Sequence, residues 1–180
     1  MLILAGVGAG PSGDFQSIAT TTVGAGGQTT ITFSSIPSTY KHLQLRLFGR
    51  ATGSSDYATQ YAVFNSDTGS NYAYHQLFAE GASFTSSAST STSFIALQLF
   101  AGGLSSANIF GGIIVDILDY ADTNKFKTVR QLGGVDRSGS GYIILNSGLW
   151  RSTSAISSIS MGTDGNFAQY THAALYGIKG

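Results

Sequence analysis

The sequence predicts an all-β fold, an antiparallel sandwich or barrel of about nine to eleven strands. Three observations carry the prediction. No stretch sustains the 3.6-residue apolar period of a helix. Turn signals recur roughly every 8–15 residues, among them Gly24-Ala-Gly-Gly27, Asp67-Thr-Gly69, Gly102-Gly103, Gly133-Gly134 and Thr163-Asp-Gly165. Between them lie short runs in which apolar residues alternate with polar ones.

Taken in order, residues 29–33 place Ile31 and Phe33 on one side and threonines on the other. In 41–48, Leu43, Leu45 and Leu47 share a face opposite His42, Gln44 and Arg46, the period of a half-buried strand. Strands over 57–64 and 72–78 flank a turn at 65–69. The run Ser86-Ser-Ala-Ser-Thr-Ser-Thr-Ser93 reads as a long polar loop. Residues 94–100 and 109–118 are almost continuously apolar and are expected to be central and covered on both faces. Residues 142–145, 156–161 and 167–178 supply the remaining strands. Neither Pro11 nor Pro37 interrupts a ladder.

Composition narrows the function classes. The chain has 180 residues, no cysteine and a formal net charge of zero. Thiolate metal sites and disulfides are excluded, and nothing favours nucleic acid or an anionic membrane as partner. Charged residues make up 10% of the chain, against about 25% in ordinary soluble domains. Ser, Thr and Gly take their place, a surface poorly defended against association and suited to life inside an assembly; a secreted monomer with a hydroxyl-rich surface is the competing expectation. Residues 1–13 read as an apolar extended arm, and 14–180 as a single sandwich domain. Leu2, Ile3, Leu4 and Val7 are the expected contacts of that arm with a capsid or a neighbouring subunit. The arm lacks a basic leader and is too short to span a bilayer.

The search for chemistry finds no candidate catalytic residue, cofactor or metal ligand. Ser138-Gly-Ser-Gly141 lies between strands, with no helix to form a nucleophile elbow. The one glutamate, Glu80, has no nearby acid. Asp116 and Asp119 are three apart, so on a strand they point to opposite faces and make no glycosidase pair. The three histidines, His42, His75 and His172, have no ligand spacing. The 65–71 segment alternates oxygen donors around a glycine but lacks the acidic density of a calcium loop, and reads as a hairpin. Tyr57, Tyr61, Tyr72, Tyr74 and Trp150 are the candidates for a carbohydrate-stacking surface; burial in a core or interface is the competing expectation.

Eight of the eighteen charged residues fall between Asp116 and Arg137. They read as a hairpin: a strand over 113–120, a turn at Asp122-Thr-Asn124 and a returning strand over 126–132. Asp119 is expected to face Lys125 or Lys127, and Asp116 to face Arg130 or a residue in a nearby register.

Several blocks carry a resemblance. They are Thr30-Ile-Thr-Phe-Ser-Ser-Ile-Pro-Ser-Thr-Tyr-Lys-His-Leu-Gln-Leu-Arg46, Gly69-Ser-Asn-Tyr-Ala-Tyr-His-Gln-Leu77, Asp116-Ile-Leu-Asp-Tyr-Ala-Asp-Thr-Asn-Lys-Phe-Lys-Thr128, Ser147-Gly-Leu-Trp-Arg-Ser-Thr-Ser-Ala-Ile156 and Ala174-Leu-Tyr-Gly-Ile-Lys179. As a set they resemble small virion structural proteins of tailed bacteriophages. The resemblance implies a jelly-roll-like β-sandwich, no enzymatic activity and a homotrimer. It also implies a place either on the capsid surface, bound to the major capsid protein as decoration or cement, or at a tail tip that grips host glycans. A compact body with an arm and no shaft favours the capsid.

Overall fold

The computed structural model describes residues 14–180. Twelve strands follow in chain order: β1 Phe15–Thr22, β2 Gln28–Phe33, β3 His42–Gly49, β4 Tyr57–Phe64, β5 Tyr72–Glu80, β6 Ser83–Thr92, β7 Ile95–Ala101, β8 Gly111–Leu118, β9 Lys127–Asp136, β10 Gly141–Trp150, β11 Ile159–Phe167 and β12 His172–Ile178. They form two antiparallel sheets, one of eight strands in the order β1-β12-β3-β8-β9-β10-β5-β6 and one of four in the order β2-β11-β4-β7. The all-β sandwich expected from the turn spacing is therefore present, with one strand more than the upper bound.

The strand order contains a jelly roll. With β5-β6 and β9-β10 set aside, eight strands remain, in the two sheets β1-β12-β3-β8 and β2-β11-β4-β7. Successive strands of these eight lie in opposite sheets except β4 and β7, which are neighbours in the smaller sheet, and this is the crossing pattern of a double Greek key. The two extra pairs are inserted hairpins. Both join the first sheet beyond β8 and double its width.

The core lies between the sheets. Leu43, Leu45 and Leu47 of β3 and Ile113, Val115 and Ile117 of β8 point inward against Ile31, Phe33, Phe64, Ile159 and Met161 of the smaller sheet. The alternation read along 41–48 is the alternation seen. Two expectations need correction. The 86–93 loop is most of β6, an edge strand paired with β5 and exposed along its length. Its hydroxyl side chains need no burial, so its strand character leaves no apolar pattern. Residues 109–118 are not covered on both faces: β8 is central, yet its residues alternate buried and open, with Ile114 facing out. The 94–100 expectation fits better, because Ile95, Ala96 and Leu97 are all buried although β7 edges its sheet.

Polar side chains fasten the inserted strands to the smaller sheet. Asn146 of β10 donates to Ala96 O of β7 at 2.6 Å, and Gln131 of β9 donates to Gln98 O. The Arg50 guanidinium donates to the carbonyls of Gly103, Ser105, Ser106 and Ile109, which holds the β7–β8 connection.

Candidate interaction surface

The charge cluster at 116–137 builds a hairpin, as its sign pattern predicts. Asp116 on β8 lies directly opposite Arg130 on β9, their charged atoms 3.8 Å apart. The turn is set by Asp122, whose Oδ1 accepts the Asn124 N–H at 2.8 Å. Asp119 sits there in the left-handed region, at φ 47°. It pairs with Lys125 and Lys41, each at 2.8 Å. Lys127, the other partner considered for Asp119, is instead fully buried. Its Nζ donates to the carbonyls of Asp122, Lys125 and Thr153 at 2.6, 2.8 and 3.1 Å. Burial lowers its pKa, against the pull of Asp122 and Asp119.

Hydrogen bonds from Lys125 and Lys41 hold the Asp119 carboxyl down at about 2. Between that value and the ordinary 3.8, the unfolded chain binds a proton that the folded chain excludes. The stabilisation is complete above 3.8 and is lost as pH falls towards 2. Urea midpoints measured from pH 4 to pH 2 should therefore fall less steeply for Asp119→Asn than for the native chain. Asparagine tolerates the left-handed backbone, so the comparison isolates the charge.

The carbohydrate candidates do not converge. Trp150 and Tyr72 are buried and stacked, with ring centroids 6.2 Å apart, and Phe64 meets the edge of Trp150 at 5.7 Å. Burial pushes the Tyr72 hydroxyl up to about 12. Tyr57 and Tyr61 remain exposed on β4, where they lean on Tyr142 and Phe94. Tyr74 is half-buried on β5.

The 65–71 segment is not the expected hairpin: it carries the chain from β4 in the four-stranded sheet to β5 in the eight-stranded one, and its donors leave no cation loop. Asp67 accepts from Trp150 Nε1 at 2.7 Å, from Asn71 Nδ2 and from the Gly69 N–H. Burial alone would raise its pKa; these three donors outweigh burial and lower it. N–H groups occupy the lone pairs a cation would need. Among the described residues no group of three or more His, Asp or Glu is placed to hold a metal. Ser138 sits in the β9–β10 turn, where its N–H donates to Asp136. His42 accepts the Asp119 N–H, and His172 shares a hydrogen bond with Thr22. Leu2, Ile3, Leu4 and Val7, the expected arm contacts, lie outside the described residues.

One surface carries no signature in the linear sequence. On the outer face of the eight-stranded sheet, Ile114, Leu132, Leu145 and Leu77 stand directly opposite one another on β8, β9, β10 and β5. Each is 44–53% exposed. In the next row Phe48, Gly112, Gly134, Ile143, Ala79 and Phe84 follow across β3, β8, β9, β10, β5 and β6. The two glycines leave a trough of about 490 Å³ between Phe48 and Ile143. The smaller sheet presents the opposite chemistry outward. Thr30 and Thr32 are exposed there, Thr32 bonds Ser160, and the Tyr61 ring lies over Gly162. Contiguous apolar surface of this kind marks interaction sites on soluble proteins.

No protein-family model, no curated protein and no solved structure matches the chain.

Proposed function

We propose that this chain is a non-enzymatic structural protein of a tailed-bacteriophage virion. In this reading it is a decoration or cement protein that binds the major capsid protein lattice as a trimer and stabilises the head. The observation that carries the reading is the outer face of the enlarged sheet: broad, nearly flat in charge and open along two rows of apolar side chains. A jelly roll widened by inserted hairpins has more lateral surface than its own core requires. Jelly rolls recur in capsid proteins and in lectins, so the fold alone decides between neither. The sequence blocks described above add the phage resemblance.

The mechanism is mechanical. Several weak contacts made together by linked copies give a retention that no single contact supplies. The apolar arm at 1–13, through Leu2, Ile3, Leu4 and Val7, adds a further anchor on the capsid. Deleting residues 1–13 should lower the occupancy of the protein on capsids, measured by quantitative gel or mass spectrometry of purified particles. Unchanged occupancy would remove the arm from the mechanism.

The second reading is a tail-tip module that grips host glycans, for which Tyr57 and Tyr61 on β4 remain available. It is the weaker, because Tyr72 and Trp150 are committed to the core. Binding of the purified chain to a glycan array would favour it over the capsid.

A further inference from the structure

We infer that the outer face of the eight-stranded sheet, centred on β9 and β10, is the surface through which copies of this chain associate with one another. The inference concerns a surface and its occupant and does not rest on the virion reading.

The first support is where the apolar side chains stand. The jelly-roll part of the sheet shows mixed or polar residues outward on β1 and β12, among them Thr20, Thr22 and His172. The exposed aliphatics Leu132, Ile143, Leu145 and Leu77 all belong to the inserted strands, with Ile114 and Phe48 beside them. The insertions thus extend the sheet and at the same time load its outer face with side chains that gain nothing from solvent. The arrangement has the anatomy of a homo-oligomer contact, an aliphatic centre with a rim of Ser, Thr and charged residues.

The second support is charge. The outward positions of this sheet carry two arginines, Arg46 and Arg130, and two aspartates, Asp116 and Asp136. Their charges cancel, and each group is engaged in the plane of the sheet. Arg130 faces Asp116, which also accepts from Gln44 at 2.9 Å. Arg46 bonds Gln44 and lies over the Tyr176 ring at 4.8 Å. Asp136 accepts the Ser138 N–H. A copy of the same face meets no net like charge and leaves no charge without a partner. A basic or acidic partner would gain nothing from a neutral, internally paired surface.

The third support is size. The six strands from β3 to β6 that carry the apolar rows, at about 4.8 Å spacing and with about eight residues each at about 3.4 Å rise, give a face of about 800 Å². A stable protein–protein contact needs about 800 Å² from each partner. The face is large enough to hold two copies together without help from another element.

The test uses the full chain in sedimentation and light scattering over a range of concentrations. The native protein is expected to run as a multiple of 18.7 kDa. In the double variant Leu132→Lys with Leu145→Glu, the new charges lie opposite each other and can pair across the ladder, so the sandwich itself should persist. Association should weaken by at least about a hundredfold. Gly112→Arg provides an independent probe. No atom lies within 4 Å of the Cβ it would gain, so it fills the trough without disturbing the core. It too should dissociate the assembly, while Thr30→Glu on the other sheet should not. A native chain that stays monomeric at its highest soluble concentration overturns the inference and leaves the face to the arm or to a capsid protein. So does an assembly that survives both face variants. A dimer and a trimer both support the shared face; only the trimer agrees with the proposed virion role, so the two readings fail separately.

Discussion

Trp150→Ala should lower the stability of the sandwich by about 4–5 kcal/mol, the upper range for loss of a buried aromatic. Three losses coincide. The indole is 2% exposed at the end of β10, stacked on Tyr72 and met by Phe64, so its removal opens a cavity among aromatic rings. Its N–H is one of the donors that hold the Asp67 carboxylate, and through it the β4–β5 turn. That turn is already shaped by Asn65 and Ser66, both at positive φ, and closed by a bond from the Asp67 N–H to Phe64 O. For a chain of this size the expected fall in Tm is roughly 10–20 °C. Trp150→Phe separates the terms: it keeps most of the packing and loses the Asp67 bond, and should cost about 1–3 kcal/mol. Thermal unfolding followed by near-ultraviolet circular dichroism checks both variants. An unchanged Tm for Trp150→Ala would contradict the placement of this residue in the core.

Lys127→Met should cost about 2–4 kcal/mol, and the reason is different. The methionine preserves the length of the stem, so packing changes little. The loss is the ammonium, whose three bonds to Asp122, Lys125 and Thr153 carbonyls tie the β8–β9 turn to the segment after β10. Those oxygens then lose this donor at a place where the side chain of residue 127 is closed off from solvent. Two effects compete. Burial disfavours the charged lysine, as its lowered pKa records, so removal recovers some desolvation. The three carbonyls recover nothing, and that term is the larger. Chemical denaturation measures the sum. Lys127 and Trp150 are opposite one another across the β9–β10 ladder, so the double variant should cost less than the two single costs together.

The features legible in the sequence are those that burial writes into side-chain alternation. The β3 leucines announced both their strand and its inner face. The hairpin at 113–132 announced its pairing by the sign of its charges, and Asp116 does face Arg130. The strands that left no mark are β1 and β6, and these are the two edges of the large sheet. Both are rich in Ser and Thr, half open or open to solvent, and held by backbone pairing that any side chain permits. The apolar outer face was hidden for the opposite reason. Its residues lie on four or more strands spread from Phe48 to Leu145, and they share a surface only through register. In the sequence, Ile114 beside Ile113 looked like a strand buried on both sides. An isoleucine facing a core and one facing an interface have the same composition. Lys127 was misplaced by similar logic, since charge alone suggested an exposed cross-strand partner, while three free carbonyls at the end of the sandwich offered a better site.

A three-dimensional reconstruction of the tailed-phage particle proposed to carry this chain is the most direct test of the proposed role. The account predicts density for a two-sheet β-sandwich on the outside of the capsid shell, repeated over junctions of the major capsid protein in groups of three. Density confined to the tail, or particles that contain no copy of the chain, would contradict it.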